Sequence, residues 1–253
     1  MAAGSILSSR TQAHASTPLV TAEAGLLDVL YRDEALIVVN KPSGLASHRG
    51  LSNEYGDYVL TRVRDAVGQQ VYLAHRLDRA TSGAIALVLE PRWVDPIQRA
   101  IQENRVDKRY WALTRGVVPE QFAVDYAIPR SFERPDERVS ALTEFKRLAV
   151  FEDRYSLVEG HPLTGRYHQI RRHLKHLHHP IIGDTTYGDG KENRKLRERF
   201  GLMRLVLHAA RLSLPHPVSG EMLHIEAPLM SDLSAPFAAM GFSLDTKSSE
   251  LSG

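Results

Sequence analysis

The chain of 253 residues contains no cysteine. This absence excludes disulfide bonds, thiolate metal ligands and a cysteine nucleophile. No apolar run approaches the roughly 20 residues that a membrane-spanning helix requires. The first 25 residues also lack the basic start and the continuous apolar segment of a secretory signal. We therefore expect a cytoplasmic protein that does not enter a membrane.

An excess of one charge is also missing, because 32 lysines and arginines face 30 aspartates and glutamates. The charge is nevertheless uneven. Residues 161–211 hold eleven lysines and arginines, only four acidic residues, and seven histidines. Such a segment is typical of polyanion binding, since each phosphate contact releases condensed counterions. A solvated basic helix at KENRKLRERF is the simpler alternative, but the interleaved Tyr167, Tyr187 and Phe200 favour a nucleic-acid surface.

The dense histidines at HLKHLHH, residues 173–179, raise zinc binding as a further alternative. Asp184 is the nearest carboxylate that could complete a local ligand set. A catalytic zinc usually takes three protein ligands from well-placed elements, however, and the HExxH motif is absent. We predict that no metal is bound and that these histidines face phosphates or lie on a helix surface.

The hydrophobic patterns predict more strands than helices. Helical spacing is found over residues 56–67, from Pro91 to near Asn104, and over 167–177. Strand patterns occur at LLDVLY, ALIVVNK, VYLAH, AIALVLE and KRYWALTRG, several times over 122–160, and in a hairpin of LVLHAARLSL with MLHIEAP. Strands that follow one another directly indicate an α+β fold with a mixed, largely antiparallel sheet.

No internal repeat or linker interrupts residues 26–242, so we expect one catalytic-size domain there. Residues 1–25 are rich in alanine, serine and threonine and predict a flexible extension. Residues 243–253 are expected to form a flexible C-terminal tail.

One short stretch, AHRLDRATSG at residues 74–83, places Asp78 between Arg76 and Arg79 just before an apolar strand. An aspartate ahead of a Thr-Ser-Gly turn is most often a turn or cap residue that accepts backbone hydrogen bonds. A carboxylate surrounded by cations is also the arrangement of a nucleophile that is kept ionised. The spacing alone leaves both interpretations open.

Five segments resemble, in order, the motifs of the RluA-like family of pseudouridine synthases. They are NKPSGL at 40–45, AHRLDRATSGAIAL at 74–87, KRYWAL at 108–113, LTGRYHQIRRHL at 163–174 and LVLHAARLSLPHPVSGE at 205–221. The resemblance implies the pseudouridine synthase fold, with helices flanking the sheet and a central cleft. It also implies isomerisation of a specific uridine in RNA to pseudouridine, without a cofactor or a metal.

The resemblance assigns this chemistry to Asp78, Tyr110 and Arg171. Asp78 would be the nucleophile, attacking either C6 of the base or C1′ of the ribose. Arg171 would pair with Asp78 and lower the pKa of its carboxyl group. Tyr110 would lie against the uracil ring, and its phenol is a candidate for handling the C5 proton; a strand aromatic that fills the core is the alternative.

RNA contacts are implied at a second set of positions. Arg76 would occupy the space that the extruded uridine leaves in its stack, and His75 would support the rearranged RNA. Ile181 and Ile182 would wall the uracil pocket, with ordinary core packing as the alternative. The other expected RNA contacts are Arg166, His168, Gln169 and Arg172.

The longer segment 166–209 resembles the branch of the family that modifies uridine 65 of tRNA, at the base of the T-stem. We therefore predict a monomeric tRNA-modifying enzyme, without an additional N-terminal RNA-binding domain of the S4 type. Two alternatives are the same chemistry on ribosomal RNA and a non-catalytic RNA-binding protein that keeps the fold.

Overall fold

A computed structural model describes residues 27–48 and 57–242 of the chain. The predicted flexible segments at 1–25 and 243–253 lie outside these described residues. Ten strands form one sheet. They are β1 (Asp28–Arg32), β2 (Leu36–Lys41), β3 (Tyr72–Leu73), β4 (Ser82–Val88), β5 (Asp107–Arg115), β6 (Gln121–Asp125), β9 (Leu142–Phe151), β10 (Tyr155–Pro162), β11 (Leu207–Pro215) and β12 (Met222–Glu226). A separate small hairpin pairs β7 (Ile128–Pro129) with β8 (Arg138–Val139).

The main path of the sheet has the order β1-β2-β4-β11-β5-β10-β9-β6, while β12 pairs with β11 and β3 with β4. Strands β4 and β11 run parallel, and the other neighbouring pairs run antiparallel. The prediction of a mixed, largely antiparallel sheet is therefore confirmed. The parallel pair joins two segments that are 126 residues apart in the sequence, as in the pairing of Ser82 with His208, and local strand patterns do not reveal such a pairing.

Five α-helices flank the sheet in the described ranges: α1 (Val59–Val67), α2 (Val94–Gln102), α3 (Gln169–His176), α4 (Gly190–Phe200) and α5 (Ser231–Ala239). Helix α1 follows the predicted spacing, and α2 follows a short 3₁₀ turn at Pro91–Trp93. Helix α5 is not predicted from the sequence, although Leu233 and Phe237 bury one of its sides. None of the helices in 27–48 and 57–242 has the length and apolar character needed to cross a membrane.

Strand β4 is buried along its whole length, because helices and strands cover both faces of this part of the sheet. Its contact with β11 is very close at Gly83, where a Cβ atom would lie 2.3 Å from the carbonyl oxygen of Ala209. Next to this contact, His208 donates from Nε2 to Ala227 O at 2.9 Å, and Ser82 donates to Nδ1 at 2.9 Å. These contacts fix the start of β4, which directly follows the Asp78 segment.

The core comprises separate clusters on the two halves of the sheet. One cluster packs β2 and β4 against α1, and another packs β5 and β10 against α3 and α5. Tyr110 on β5 is half-buried and packs against both clusters. Tyr110 therefore lies at the boundary where the Asp78 segment and helix α3 approach each other.

Candidate active site

Asp78 lies in the connection between β3 and β4, and hydrogen bonds fix the backbone on both sides of it. Thr81 N donates to Asp78 O at 3.1 Å, closing a turn. The Ser47 hydroxyl donates to Leu77 O at 2.8 Å and accepts from Leu77 N at 3.2 Å. The carboxylate is thus presented from a well-anchored loop instead of a mobile one.

Lys41, at the end of β2, also anchors the loop that carries Asp78. Its buried Nζ donates to three carbonyl oxygens: Pro42 at 2.9 Å, Leu45 at 2.8 Å and Arg79 at 3.1 Å. Burial lowers the pKa of Lys41 to about 7, although the negative charge of Asp78 acts in the opposite direction. The sequence reveals the KPSG turn but not this role, since the acceptor in Arg79 is remote in sequence.

The carboxylate of Asp78 remains open to a ligand. Its side chain is 28% exposed, with Oδ2 lying 3.6 Å from His168 Nε2 and 3.8 Å from Arg171 Nη1. It accepts no hydrogen bond from any residue in the described ranges. Burial raises the pKa of Asp78, and the positive charges of Arg171 and Lys41 only partly oppose this rise. Arg171 lowers the pKa of Asp78, as predicted, but the larger effect of burial leaves the net pKa raised.

Arg171 has a closer partner than Asp78. Its guanidinium binds Asp184 in a bidentate pair, with Nε at 2.7 Å and Nη2 at 2.8 Å. Asp184 is buried and also accepts from the backbone amides of Thr186 at 2.8 Å and Tyr187 at 3.0 Å. Burial opposes ionisation, but the hydrogen bonds from Arg171 and these amides hold the pKa of Asp184 below its ordinary value.

Arg171 is consequently a fixed cation beside Asp78 and not its main ion-pair partner. The sequence suggests Asp184 only as a possible zinc ligand, whereas the structure shows that it orients Arg171. The sequence signal is weak: a glycine and an aspartate follow two isoleucines in PIIGD, 13 residues after Arg171. In the described residues, no group of three or more histidines and carboxylates is arranged to hold a metal ion.

His168 faces Asp78 from the start of α3. Its backbone is left-handed, with φ at +54°, so the helix begins at Gln169 and not at the predicted residue 167. The ring stacks on Tyr167 at a centroid distance of 3.8 Å, and its Nδ1 lies 3.1 Å from Tyr187 Oη. Burial and the nearby Arg171 lower the pKa of His168 to about 3, so its imidazole is neutral.

Tyr110 reaches the same region from β5. Burial and the negative charge of Asp78 both raise the pKa of the Tyr110 phenol. The hydroxyl therefore stays protonated at neutral pH. A protonated phenol beside a carboxylate can pack against the uracil ring and donate a hydrogen bond. It is a poor proton acceptor before the reaction starts.

Four other residues that are predicted to contact RNA are at least partly exposed, and each also makes a hydrogen bond within the protein. Arg76 is exposed, and its Nη1 donates to His48 Nε2 at 3.2 Å. Arg166 is exposed, and its Nε donates to Ser140 O at 3.1 Å. His75 is half-buried and accepts from Ala86 N at 3.1 Å. Arg172 donates to Tyr187 Oη at 3.0 Å and Pro129 O at 2.5 Å.

Three predicted contacts require correction because the structure buries them. Gln169 accepts from Thr164 Oγ1 and Arg166 N, and it donates to Leu142 O and Thr143 Oγ1. Its polar atoms are thus used within the protein, and Gln169 shapes the loop instead of binding RNA. Ile181 and Ile182 are each only 1% exposed and belong to the hydrophobic core, so they do not wall an open pocket.

An aromatic and basic rim extends from His168 to the surface; it consists of Phe132, Tyr167 and Arg172. Phe132 is 57% exposed and meets Tyr167 edge to face at 5.5 Å, while the Arg172 guanidinium lies 5.2 Å from the Tyr167 ring centroid. Exposed aromatic rings beside arginine suit base stacking. The sequence offers no signal for Phe132, which is embedded in the polar loop SFERPDE.

The chain is similar to several known proteins. Residues 35–176 match the RNA pseudouridylate synthase family. The tRNA pseudouridine synthase C of Vibrio cholerae is 38% identical over 223 residues, covering 81% of this chain and 91% of that relative. The enzyme of the same name from Pectobacterium carotovorum subsp. carotovorum is 41% identical over 225 residues, covering 81% of this chain and 60% of that relative.

Among solved structures, human RNA pseudouridylate synthase domain containing 4 superposes with a TM-score of 0.71 and 26% identity. The match covers 86% of this chain and 94% of the human chain. The predicted pseudouridine synthase fold is therefore confirmed. Taken with the family match and the identities above, this shows that the chain belongs to the RNA pseudouridylate synthase family and is an RNA pseudouridine synthase.

Proposed function

We propose that the protein isomerises uridine 65 of tRNA to pseudouridine and that Asp78 is the nucleophile. The tRNA substrate is supported by relatives that carry the name tRNA pseudouridine synthase C. Position 65 is supported by the resemblance of segment 166–209 to the branch that modifies this nucleotide. The basic character of residues 161–211 suits a tRNA surface.

The observation that carries the proposal is the open carboxylate of Asp78. It is partly exposed and lies near the fixed cation of Arg171 and the neutral ring of His168. It accepts no hydrogen bond within the described part of the chain. A carboxylate whose lone pairs are not committed to donors is available for attack on an electrophilic carbon.

The reaction balances without an external reactant. Attack by Asp78 on C1′ or on C6 accompanies cleavage of the N1–C1′ bond, and the uracil then turns within the site. C5 bonds to C1′, the carboxylate leaves, C5 loses its proton and N1 gains one. Tyr110, with its raised pKa, lies against the ring as a protonated phenol. Burial opposes the charge of Arg171, but the pair with Asp184 keeps its pKa above the ordinary value, so the guanidinium stays charged throughout.

The test is incubation of the purified protein with unmodified tRNA transcripts, followed by mapping of pseudouridine at single-nucleotide resolution. We expect a signal at uridine 65 that is absent with Asp78→Asn, while tRNA binding by that variant is retained. Asp65→Asn makes the same chemical change at an exposed site on α1 and should remain active. A signal only on ribosomal RNA fragments would overturn the tRNA assignment, and no signal on either RNA would favour the binding-only alternative.

A further inference from the structure

A cavity of about 180 Å³ lies between the end of α2, strand β5 and the connection from β10 to α3. Its lining includes Asn104, Lys108, Leu163 and Gly165. Lys108 precedes Tyr110 by two residues on β5, so the two side chains leave the same face of the sheet. Gly165 precedes Arg166 in the segment that leads to His168. The cavity thus adjoins the candidate active site without containing Asp78.

Lys108 is the unusual residue in this cavity. It is half-buried, yet its ammonium group makes no hydrogen bond or ion pair with any described residue. Burial lowers the pKa of Lys108, and the neighbouring Asp107 only partly compensates. Asp107 is itself occupied, since its Oδ1 lies 2.8 Å from Arg109 Nε and 3.2 Å from His161 Nε2. A partly buried cation without a partner is costly unless a ligand completes it.

Gly165 keeps the space beside this ammonium open. A Cβ atom at position 165 would lie 3.9 Å from Lys108 Nζ, so a longer side chain would fill the cavity next to the charge. The backbone does not require glycine here, because residue 165 is not among those with positive φ. The missing side chain therefore leaves room for a group from outside the protein.

We propose that this cavity binds a backbone phosphate of the substrate RNA close to the target nucleotide, with Lys108 as its counter-charge. The proposal rests on the proposed function for the identity of the polymer. A single ammonium matches a phosphate as a point charge, and a nucleobase would leave this charge unpaired. The volume accommodates a phosphate together with ordered water. Because Lys108 lies two strand residues from Tyr110, the phosphate belongs near the extruded uridine and not in a distant stem.

The experiment measures the affinity for a tRNA transcript at several salt concentrations. It uses the Asp78→Asn variant as the background, so that the RNA is not modified during the measurement. The slope of log Kd against log salt counts the phosphates that the protein neutralises. We expect Lys108→Met to reduce the magnitude of this slope by about 0.7 to 0.9 and to weaken binding roughly tenfold at low salt. Lys108→Arg should keep most of the slope. Removing an unpaired charge should not lower thermal stability, which checks that the variant is folded.

Two further variants sharpen the result. Gly165→Leu fills the cavity and leaves the lysine in place, so it should weaken binding as Lys108→Met does. Lys146→Met removes an exposed lysine of β9, next to the core residue Phe145 and on the opposite face of the strand. We expect this control to leave the slope unchanged.

An unchanged slope in Lys108→Met would overturn the phosphate site, even if the affinity falls, because a lost contact to an uncharged base does not alter counterion release. The proposed function is judged separately, by modification of uridine 65 in the active protein. A reduced slope in a protein that modifies another RNA would keep the cavity and reject only the tRNA substrate.

Discussion

The two carboxylates that approach Arg171 lie in contrasting surroundings. The Asp184 side chain is 1% exposed and accepts two hydrogen bonds from Arg171 and two from backbone amides. The Asp78 side chain is 28% exposed, and its nearest cationic atom is 3.8 Å away. Of the two carboxylates beside Arg171, Asp184 is closed, because hydrogen bonds occupy its oxygens. Asp78 is open, because its oxygens accept no hydrogen bond from the described residues.

The difference shows how the protein divides structural and reactive work. Hydrogen bonds that stabilise the charge of Asp184 also occupy its lone pairs, so it can orient Arg171 but cannot attack a substrate. Asp78 lacks such donors within the described ranges, and its raised pKa records the cost of burying its charge. Reactive groups are often less well stabilised than their neighbours, because the missing partner is the substrate.

The largest effect is expected from removing the charge of the open carboxylate, Asp78. We expect Asp78→Asn to lower turnover on tRNA by at least about 1,000-fold, because an amide is not a nucleophile. The free energy of unfolding should stay the same or rise, since an unfavourable charge is removed. Single-turnover kinetics and urea denaturation measure the two quantities. Normal turnover by Asp78→Asn would refute the nucleophile assignment.

The next largest effect is expected from removing the charge of the closed carboxylate, Asp184. Asp184→Asn leaves the buried Arg171 without its charged partner, and we expect a loss of about 3 to 5 kcal/mol in the free energy of unfolding. Turnover should fall as well, because Arg171 is no longer held beside Asp78. Urea denaturation measures the loss.

A double variant serves as the control for that prediction. Asp184→Leu combined with Arg171→Met removes both charges, so it should recover much of the stability but none of the turnover. Equal stability of Asp184→Asn and the unsubstituted protein would show that the closed pair contributes little to the fold.

This contrast could be predicted from the sequence only in part. The Asp78 loop, the strands around it and helix α3 follow local patterns, and the ordered motifs correctly bring Asp78, Tyr110 and Arg171 together. The Asp184 pair and the bonds from Lys41 to the loop depend on residues that meet only in the folded chain. Local periodicity also gives no warning that His168 is left-handed or that Gln169 is buried. Solvent exposure of a polar residue is set by tertiary packing and not by its neighbours in sequence.

A smaller effect is expected at the aromatic and basic rim near the open carboxylate. Phe132→Ala should weaken tRNA binding by about 1 to 3 kcal/mol, because an exposed ring is lost as a stacking partner for a base. Phe132→Trp should retain the affinity. Val218→Ala, at an equally exposed apolar site in the turn between β11 and β12, is the matched control. Fluorescence titration with labelled tRNA measures all three. Identical affinities for Phe132→Ala and the control would remove the rim from the RNA surface.

The smallest expected effect is the pH dependence of stability, and it should have opposite signs at the two carboxylates. The pKa of Asp78 is raised in the folded state, so the folded protein binds more protons than the unfolded chain between the ordinary value of 3.8 and the raised one. Its contribution to stability therefore falls as pH rises through this window. The pKa of Asp184 is lowered, so its contribution is present above 3.8 and is lost as pH falls toward the folded value.

Urea denaturation of the unsubstituted protein, Asp78→Asn and Asp184→Asn at several pH values tests these signs. The stability gain of Asp78→Asn should grow as pH rises above 3.8, while the loss in Asp184→Asn should shrink as pH falls below it. Parallel pH profiles for Asp78→Asn and Asp184→Asn would mean that the two carboxylates share one environment, and the division between a closed structural acid and an open reactive one would fail.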